Sequence, residues 1–225
     1  MGEPLVAAEG VSRSYDGGRV VALHEVTLAI HPGDFAAITG PSGSGKSTLL
    51  NLLSGLDRPT QGRVLFDGRE PRTRRRWTAI RSRRIGLVFQ QFNLLATLTA
   101  RQNVEMPLFG VVASAAERRR RAASLLDRVG LAHRADHRPH ELSVGERQRV
   151  AIARSLVNSP ALILADEPTG SLDTHSAASV LHLLTEIHES EGVALVIVTH
   201  DLGIAERARR RVSLRDGRVE ADDRA

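Results

Sequence analysis

Residues 40–48 read Gly40-Pro41-Ser42-Gly43-Ser44-Gly45-Lys46-Ser47-Thr48, a glycine-rich loop ending in a lysine and two hydroxyl residues. The β-prone run 35–39 precedes it, and the apolar helical pattern Leu49, Leu50, Leu52, Leu53 follows. Strand, glycine loop and helix in that order build a cradle for phosphate. Residues without a Cβ let successive backbone N–H groups curl around anionic oxygens, and the helix N-terminus behind them favours negative charge. Lys46 is placed to neutralise the β and γ phosphates of a nucleotide, and the Ser47 hydroxyl to ligate Mg²⁺; Gly40, Ser42, Gly43, Ser44, Gly45 and Thr48 complete the cradle. The bare pattern arises by chance in roughly 1% of chains this long, before the flanking strand and helix are required, so a merely structural glycine turn is a poor reading.

Working outward, residues 26–30 and 35–39 are short β-prone runs separated by the turn His31-Pro32-Gly33-Asp34. Residues 161–165 and 194–199 are continuous apolar runs, the kind buried on both faces of a parallel sheet. Between them Ala177, Val180, Leu181, Leu184 and Ile187 recur at helical spacing, which makes a strand, helix, strand unit. The middle of the chain differs: Ala122, Leu125, Leu126 and Val129 form a helical stripe that ends at Gly130, so a helical insertion into the α/β core is expected. Near the end, Asp216-Gly217 between residues 211–215 and 218–221 is a two-residue hairpin signal.

The 225 residues suit one domain with a subdomain, and the apolar share of 41% is ordinary for a globular chain. No apolar run reaches eighteen residues and no signal peptide is evident, so a cytoplasmic location is expected. With no cysteine, disulfides and thiolate chemistry are excluded, and any metal must take oxygen or imidazole ligands. The net charge is +5, and Lys46 is the one lysine among 31 basic residues. The arginine clusters at 72–84, 118–121 and 207–211 are read as solvated faces. With one Trp and one Tyr, a base-stacking platform is missing and no direct nucleic-acid partner is expected.

Two further stretches carry chemistry. In Leu162-Ile163-Leu164-Ala165-Asp166-Glu167 an apolar strand ends in adjacent carboxylates, where side chains can diverge: Asp166 toward Mg²⁺, Glu167 toward the water that attacks a γ-phosphate. In Leu142-Ser143-Val144-Gly145-Glu146-Arg147-Gln148-Arg149, Ser143 is a good N-cap and Glu146 has capping-box spacing.

This last stretch, followed by Ala151-Ile152-Ala153-Arg154-Ser155-Leu156, Pro160 and the carboxylate strand, resembles the signature region of ABC ATPases. The resemblance covers nearly the whole chain. It implies an α/β fold: a P-loop NTPase core (RecA-like, mostly parallel sheet) with an N-terminal antiparallel β subdomain and an inserted α-helical subdomain at about 91–157. The whole, 1–225, would be a single nucleotide-binding domain. It further implies Gln90 as the Q-loop residue touching Mg²⁺ and the attacking water, Asp173 in the D-loop, His200 as the switch histidine near the γ-phosphate, and Tyr15 as the aromatic stacking on adenine. Ser143 and Gly145 would face the γ-phosphate of a partner. Val144 stands where the commonest signature has glycine, and a β-branched residue is less free to take positive φ. The implied cofactors are ATP and Mg²⁺; the implied assembly is a head-to-tail homodimer on the cytoplasmic face of a membrane, powering a separate transmembrane permease. Gly86-Leu87-Val88-Phe89-Gln90, Asn93-Leu94-Leu95 and Asn103-Val104 resemble the lipoprotein-release, macrolide-efflux and cell-division group. An importer subunit and a non-transport ABC ATPase acting on nucleic acid or ribosomes are the alternatives.

Overall fold

The computed structural model describes residues 2–224, and within them nine strands and seven α-helices. The chain begins with β1 (Val6–Tyr15), β2 (Val20–Ile30) and β3 (Phe35–Thr39), then α1 (Lys46–Leu53), β4 (Gln61–Phe66), α2 (Arg74–Arg84) and β5 (Ile85–Val88). Three helices follow, α3 (Ala100–Glu105), α4 (Ala115–Arg128) and α5 (Val144–Leu156). The last part runs β6 (Leu162–Asp166), α6 (Thr174–Glu191), β7 (Ala194–Val198), the single turn α7 (Leu202–Ala205), β8 (Arg210–Arg215) and β9 (Arg218–Arg224).

Two sheets result. One is antiparallel in the order β2-β1-β4; the other runs β5-β6-β7-β3-β8-β9, with all neighbours parallel except the β8–β9 hairpin. The expected strand 26–30 is the end of a longer β2: the apolar run Val20-Val21-Ala22-Leu23 also pairs with β1, although Val20 and Val21 stay exposed and only Leu23 enters the core.

The apolar runs have the two-sided burial that a parallel sheet demands. In β6, Leu162 and Leu164 share a core with α1 and the antiparallel sheet, while Ile163 and Ala165 share one with α6. α1 is thus sandwiched between the sheets, and its leucines are essentially fully buried. Each buried leucine stabilises by roughly 1.5–3 kcal/mol, which anchors the helix that begins at Lys46. On the other face Val180, Leu184 and Ile187 of α6 are completely buried, as their spacing predicts.

Helices α3, α4 and α5 lie between β5 and β6 in sequence and gather a core of their own from Val104, Leu108, Ala122, Leu126, Val150 and Ala153. Gly130 takes φ 73 just past α4, the left-handed cap expected of it. The arginine cluster at 72–84 is largely α2, held by Trp77 and Ile80 against the core and by Arg81, which donates to the Gly55 carbonyl. Trp77 is 7% exposed, and a Cβ on Gly55 would come within 2.0 Å of its ring, so only glycine fits beneath it.

One buried charge holds three elements together. Arg210, 6% exposed, donates to both carboxylate oxygens of Asp222 on β9 at 2.7 and 2.6 Å, to the Ala29 carbonyl on β2, and to Asp34 at the entrance to β3. Its hydrogen bonds hold the Asp222 carboxyl below the usual carboxylate range. A depressed acid adds stability above its unfolded pKa of about 4 and loses it as pH falls through the folded value. Arg210→Met should therefore lower unfolding stability by about 3 kcal/mol in urea titrations, and its stability should fall less steeply on acidification than that of the native chain.

Candidate functional site

The glycine loop leaves β3 and closes on its own lysine. Lys46 is 7% exposed, and its Nζ donates to the carbonyls of Gly40 and Pro41 at 2.8 Å each, spanning the mouth of the loop. Two glycines are obligatory for this shape. A Cβ on Gly40 (φ 146) would lie 2.0 Å from the Leu214 carbonyl oxygen, and one on Gly45 (φ 99) 2.3 Å from that of Ala22. The loop is thus wedged between β8 and β2, and Gly45 leads directly into α1, whose first residue is Lys46.

Across from the loop, β6 delivers the two carboxylates. Ser47 Oγ donates to Asp166 Oδ1 at 3.1 Å. Burial is the main influence on Asp166 and pushes its carboxyl above the usual range; Glu167 adds repulsion, while Ser47 and Lys46 counteract it. A half-buried carboxylate beside a hydroxyl, both oxygen donors, suits Mg²⁺, which keeps waters and takes phosphate oxygens for the rest of its shell. Among the described residues no cluster of three or more His, Asp or Glu forms a cage.

Glu167 turns away from Asp166 because its backbone enters the left-handed region at φ 46. Its N–H donates to the Val198 carbonyl at 2.9 Å, and Gly170 N–H donates to its carbonyl at 3.1 Å. Its Oε2 lies 2.6 Å from Nδ1 of His200. Gln90 joins them: a Cβ on Gly170 would sit 3.0 Å from Gln90 Nε2 and 3.3 Å from Glu167 Oε2. Lys46, Ser47 and Asp166 therefore form one group, and Glu167, His200 and Gln90 an adjoining one.

The other expected site residues lie elsewhere. Ser143 caps α5: its Oγ accepts from Glu146 N at 3.2 Å and its N donates to Glu146 Oε2 at 2.8 Å. Gly145 packs on Ser176 of α6, and neither residue is bonded to Lys46, Asp166 or Glu167. Asp173 is the N-cap of α6, accepting from Ser176 N at 3.0 Å. Val144 is the first residue of α5 and is not among the described residues with positive φ, so its β-branched side chain meets no backbone conflict there. Tyr15, at the end of β1, donates its hydroxyl to Asp57 at 2.9 Å, and the Arg13 guanidinium covers one face of its ring at 4.4 Å.

Residues 23–170 match the family model described as ABC transporter. The chain belongs to that family. It is 50% identical over 218 residues to an uncharacterized ABC transporter ATP-binding protein of Thermotoga maritima, covering 95% of this chain and 93% of that one. It is 47% identical over 225 residues to the macrolide export ATP-binding/permease protein MacB of Brucella melitensis biotype 1, covering 98% of this chain and 35% of that protein. The chain spans about a third of the length of the curated export relatives it matches. The dimeric ATP-binding cassette MJ0796, solved in a post-hydrolysis state with ADP and Pi, superposes with a TM-score of 0.90 at 43% identity, over 97% of this chain and 98% of that one. The ABC cassette fold read from the motifs, with its parallel core and antiparallel subdomain, is thereby confirmed.

Two polar side chains that the motif reading passed over tie this cassette together. Gln148 is fully buried and donates from Nε2 to the Pro168 carbonyl at 2.7 Å. Arg154 donates to the carbonyls of Phe92 and Asn93, just after Gln90, and burial lowers its pKa. Gln148, with Ile152 and Ser155 four and seven residues on, stands on the buried stripe of α5. A polar residue on an apolar stripe was the available signal. Asn103 likewise pins the loop before α3, accepting from Leu95 N and donating to the Leu95, Leu98 and Thr99 carbonyls.

Gly45→Ala places a methyl against a backbone carbonyl in a strained conformation. It should lower the melting temperature and abolish binding of a fluorescent ATP analogue, whereas Gly43→Ala, with open space around its Cβ position but the same φ penalty, should do less of both.

Proposed function

We propose that this chain binds MgATP at Lys46, hydrolyses it with Glu167 as the general base, and works as a head-to-tail dimer that drives a separate membrane permease. One observation carries the reading: a carboxylate held at the strand end by its own backbone turn, 2.6 Å from His200 and next to the Lys46–Ser47–Asp166 group.

The roles follow from the atoms. Lys46 neutralises the β and γ phosphates, and the amides of residues 40–48 receive their oxygens. Tyr15, its hydroxyl fixed by Asp57 and one face covered by Arg13, offers its other face to adenine. Ser47 and Asp166 would hold Mg²⁺, with Gln90 beside it; when bound, the ion supplies neutralising charge to the phosphates. Glu167 Oε2 is engaged by His200, so Oε1 is the atom that takes a proton from the attacking water, while the Gln90 amide orients that water. The new P–O bond forms as the bond to the β-phosphate oxygen breaks, and its electron pair leaves with ADP. His200, largely exposed, stabilises the γ-phosphate side.

Ser143 is bonded within its own capping box and Gly145 packs on Ser176 of α6, with neither bonded to the Lys46 or Glu167 group, which supports a partner's ATP as their target. Asp173 would then cross the same interface. The helical subdomain, about 91–157, and the Gln90 loop form the natural transmission surface, where Leu95, Met106 and Phe109 are exposed. A permease docked there places the cassette peripherally on the cytoplasmic face of a membrane. The export relatives favour export or mechanotransmission over import.

Glu167→Gln should bind ATP with native affinity, hydrolyse it about a thousandfold more slowly and accumulate a dimer with MgATP in light scattering. Near-native turnover would remove Glu167 from this role. Lys46→Ala should instead lose nucleotide binding itself.

A further inference from the structure

Gln148 stands between two parts of the molecule that the dimer assigns to different nucleotides. It lies on α5, five residues after Ser143, or about 7.5 Å along the axis. Its Nε2 donates at 2.7 Å to the carbonyl of Pro168, the residue directly after Glu167, and its Oε1 is buried with no partner within the protein. The Glu167 backbone stands in the left-handed region, which a residue with a Cβ holds only where its surroundings over-determine it. One of those restraints is local, Gly170 N–H to the Glu167 carbonyl, and one comes from β7, Glu167 N–H to the Val198 carbonyl. The third, on the next peptide along, comes from α5.

We infer that Gln148 is a positioning residue that links the two ATP sites of the dimer, setting Glu167 of one site according to whether α5 is engaged by nucleotide at the other. This rests on the head-to-tail reading above. In that arrangement the α5 N-terminus faces the partner's ATP, whereas Glu167 faces its own. A shift of α5 on engagement is passed through the Gln148 amide to Pro168 and hence to the Glu167 backbone. Gln148 touches no phosphate and acts only through that loop. A fully buried side chain has no room to let α5 and the loop move independently, and close-packed interiors transmit such displacements.

The test uses the full chain and measures steady-state ATPase rate against ATP concentration for the native protein, Gln148→Met and Gln148→Asn. Methionine keeps the volume and loses the donor; asparagine keeps the amide and is one methylene too short. The native protein should show a Hill coefficient above 1. Both variants should lose roughly tenfold in kcat, keep KM within about twofold, and fall to a Hill coefficient of about 1. Binding of a fluorescent ATP analogue without Mg²⁺ should stay native, because Lys46 and its loop are untouched. A purely structural role would lower the active fraction, and with it the rate, while leaving the Hill coefficient native; that result overturns the link. So does a native Hill coefficient of 1, an arm that needs no variant. Glu167→Gln is run alongside: native turnover there overturns the hydrolase reading and the link with it, whereas an inactive Glu167→Gln beside cooperative Gln148 variants overturns the link alone.

Discussion

The glycine loop can exist only because three stretches of backbone come closer than side chains allow. The Cβ positions of Gly40 and Gly45 fall on the carbonyls of Leu214 and Ala22, and that of Gly217, in the β8–β9 turn, lies 2.8 Å from the same Ala22 oxygen. Gly217 N–H donates to the Ser44 carbonyl and its own carbonyl accepts from His24 N–H. The loop, β2 and the terminal hairpin thus meet in one contact, and each holds the other two. The antiparallel sheet and the hairpin are therefore part of the phosphate cradle, although neither contributes a residue to its motif.

From that contact the rest of the site is a matter of strand ends. β3 feeds the loop and β6 lies two places along the same sheet, with β7 between them, so Asp166 reaches Ser47 across the carboxyl ends of parallel strands, where α/β sheets collect ligands. Two adjacent acids meet different partners because the backbone changes hand between them. Asp166 ends the strand and keeps a half-buried carboxyl beside the loop; Glu167 rotates to φ 46 and meets His200 instead. Burial works against the charge on Asp166, which a cation would relieve.

α5 is the other organising element. Its exposed N-cap Ser143 is held in a capping box with Glu146, Gln148 grips the loop after Glu167, and Arg154 grips the loop after Gln90. Phe92 and Asn93, the two residues Arg154 holds, both have positive φ, so this loop too is kept in a conformation it would not choose alone. A single helix of thirteen residues therefore holds both the loop after Glu167 and the loop after Gln90.

Nearest-neighbour chemistry made much of this legible. The cradle at 40–48, the Ser143–Glu146 capping box, the Gly130 cap and the Asp216-Gly217 turn each depend on a few consecutive residues, and the two-sided strands on unbroken apolar runs. The motif order also singled out Lys46, Asp166, Glu167 and His200, which the fold brings into two adjoining groups. Other features depended on what the chain brings together over distance. Tyr15 meets Asp57 across 42 residues, Gln148 meets Pro168 across 20, and Arg210 reaches Ala29 across 181. Such contacts leave no local trace, because a buried polar side chain is chosen for the one partner that packing presents to it. The sequence by itself determined that a phosphate cradle, two acids and a capped signature helix exist. Only tertiary structure decided which of them share a site, since chain closure and the exclusion of side chains at Gly40 and Gly45 set their distances.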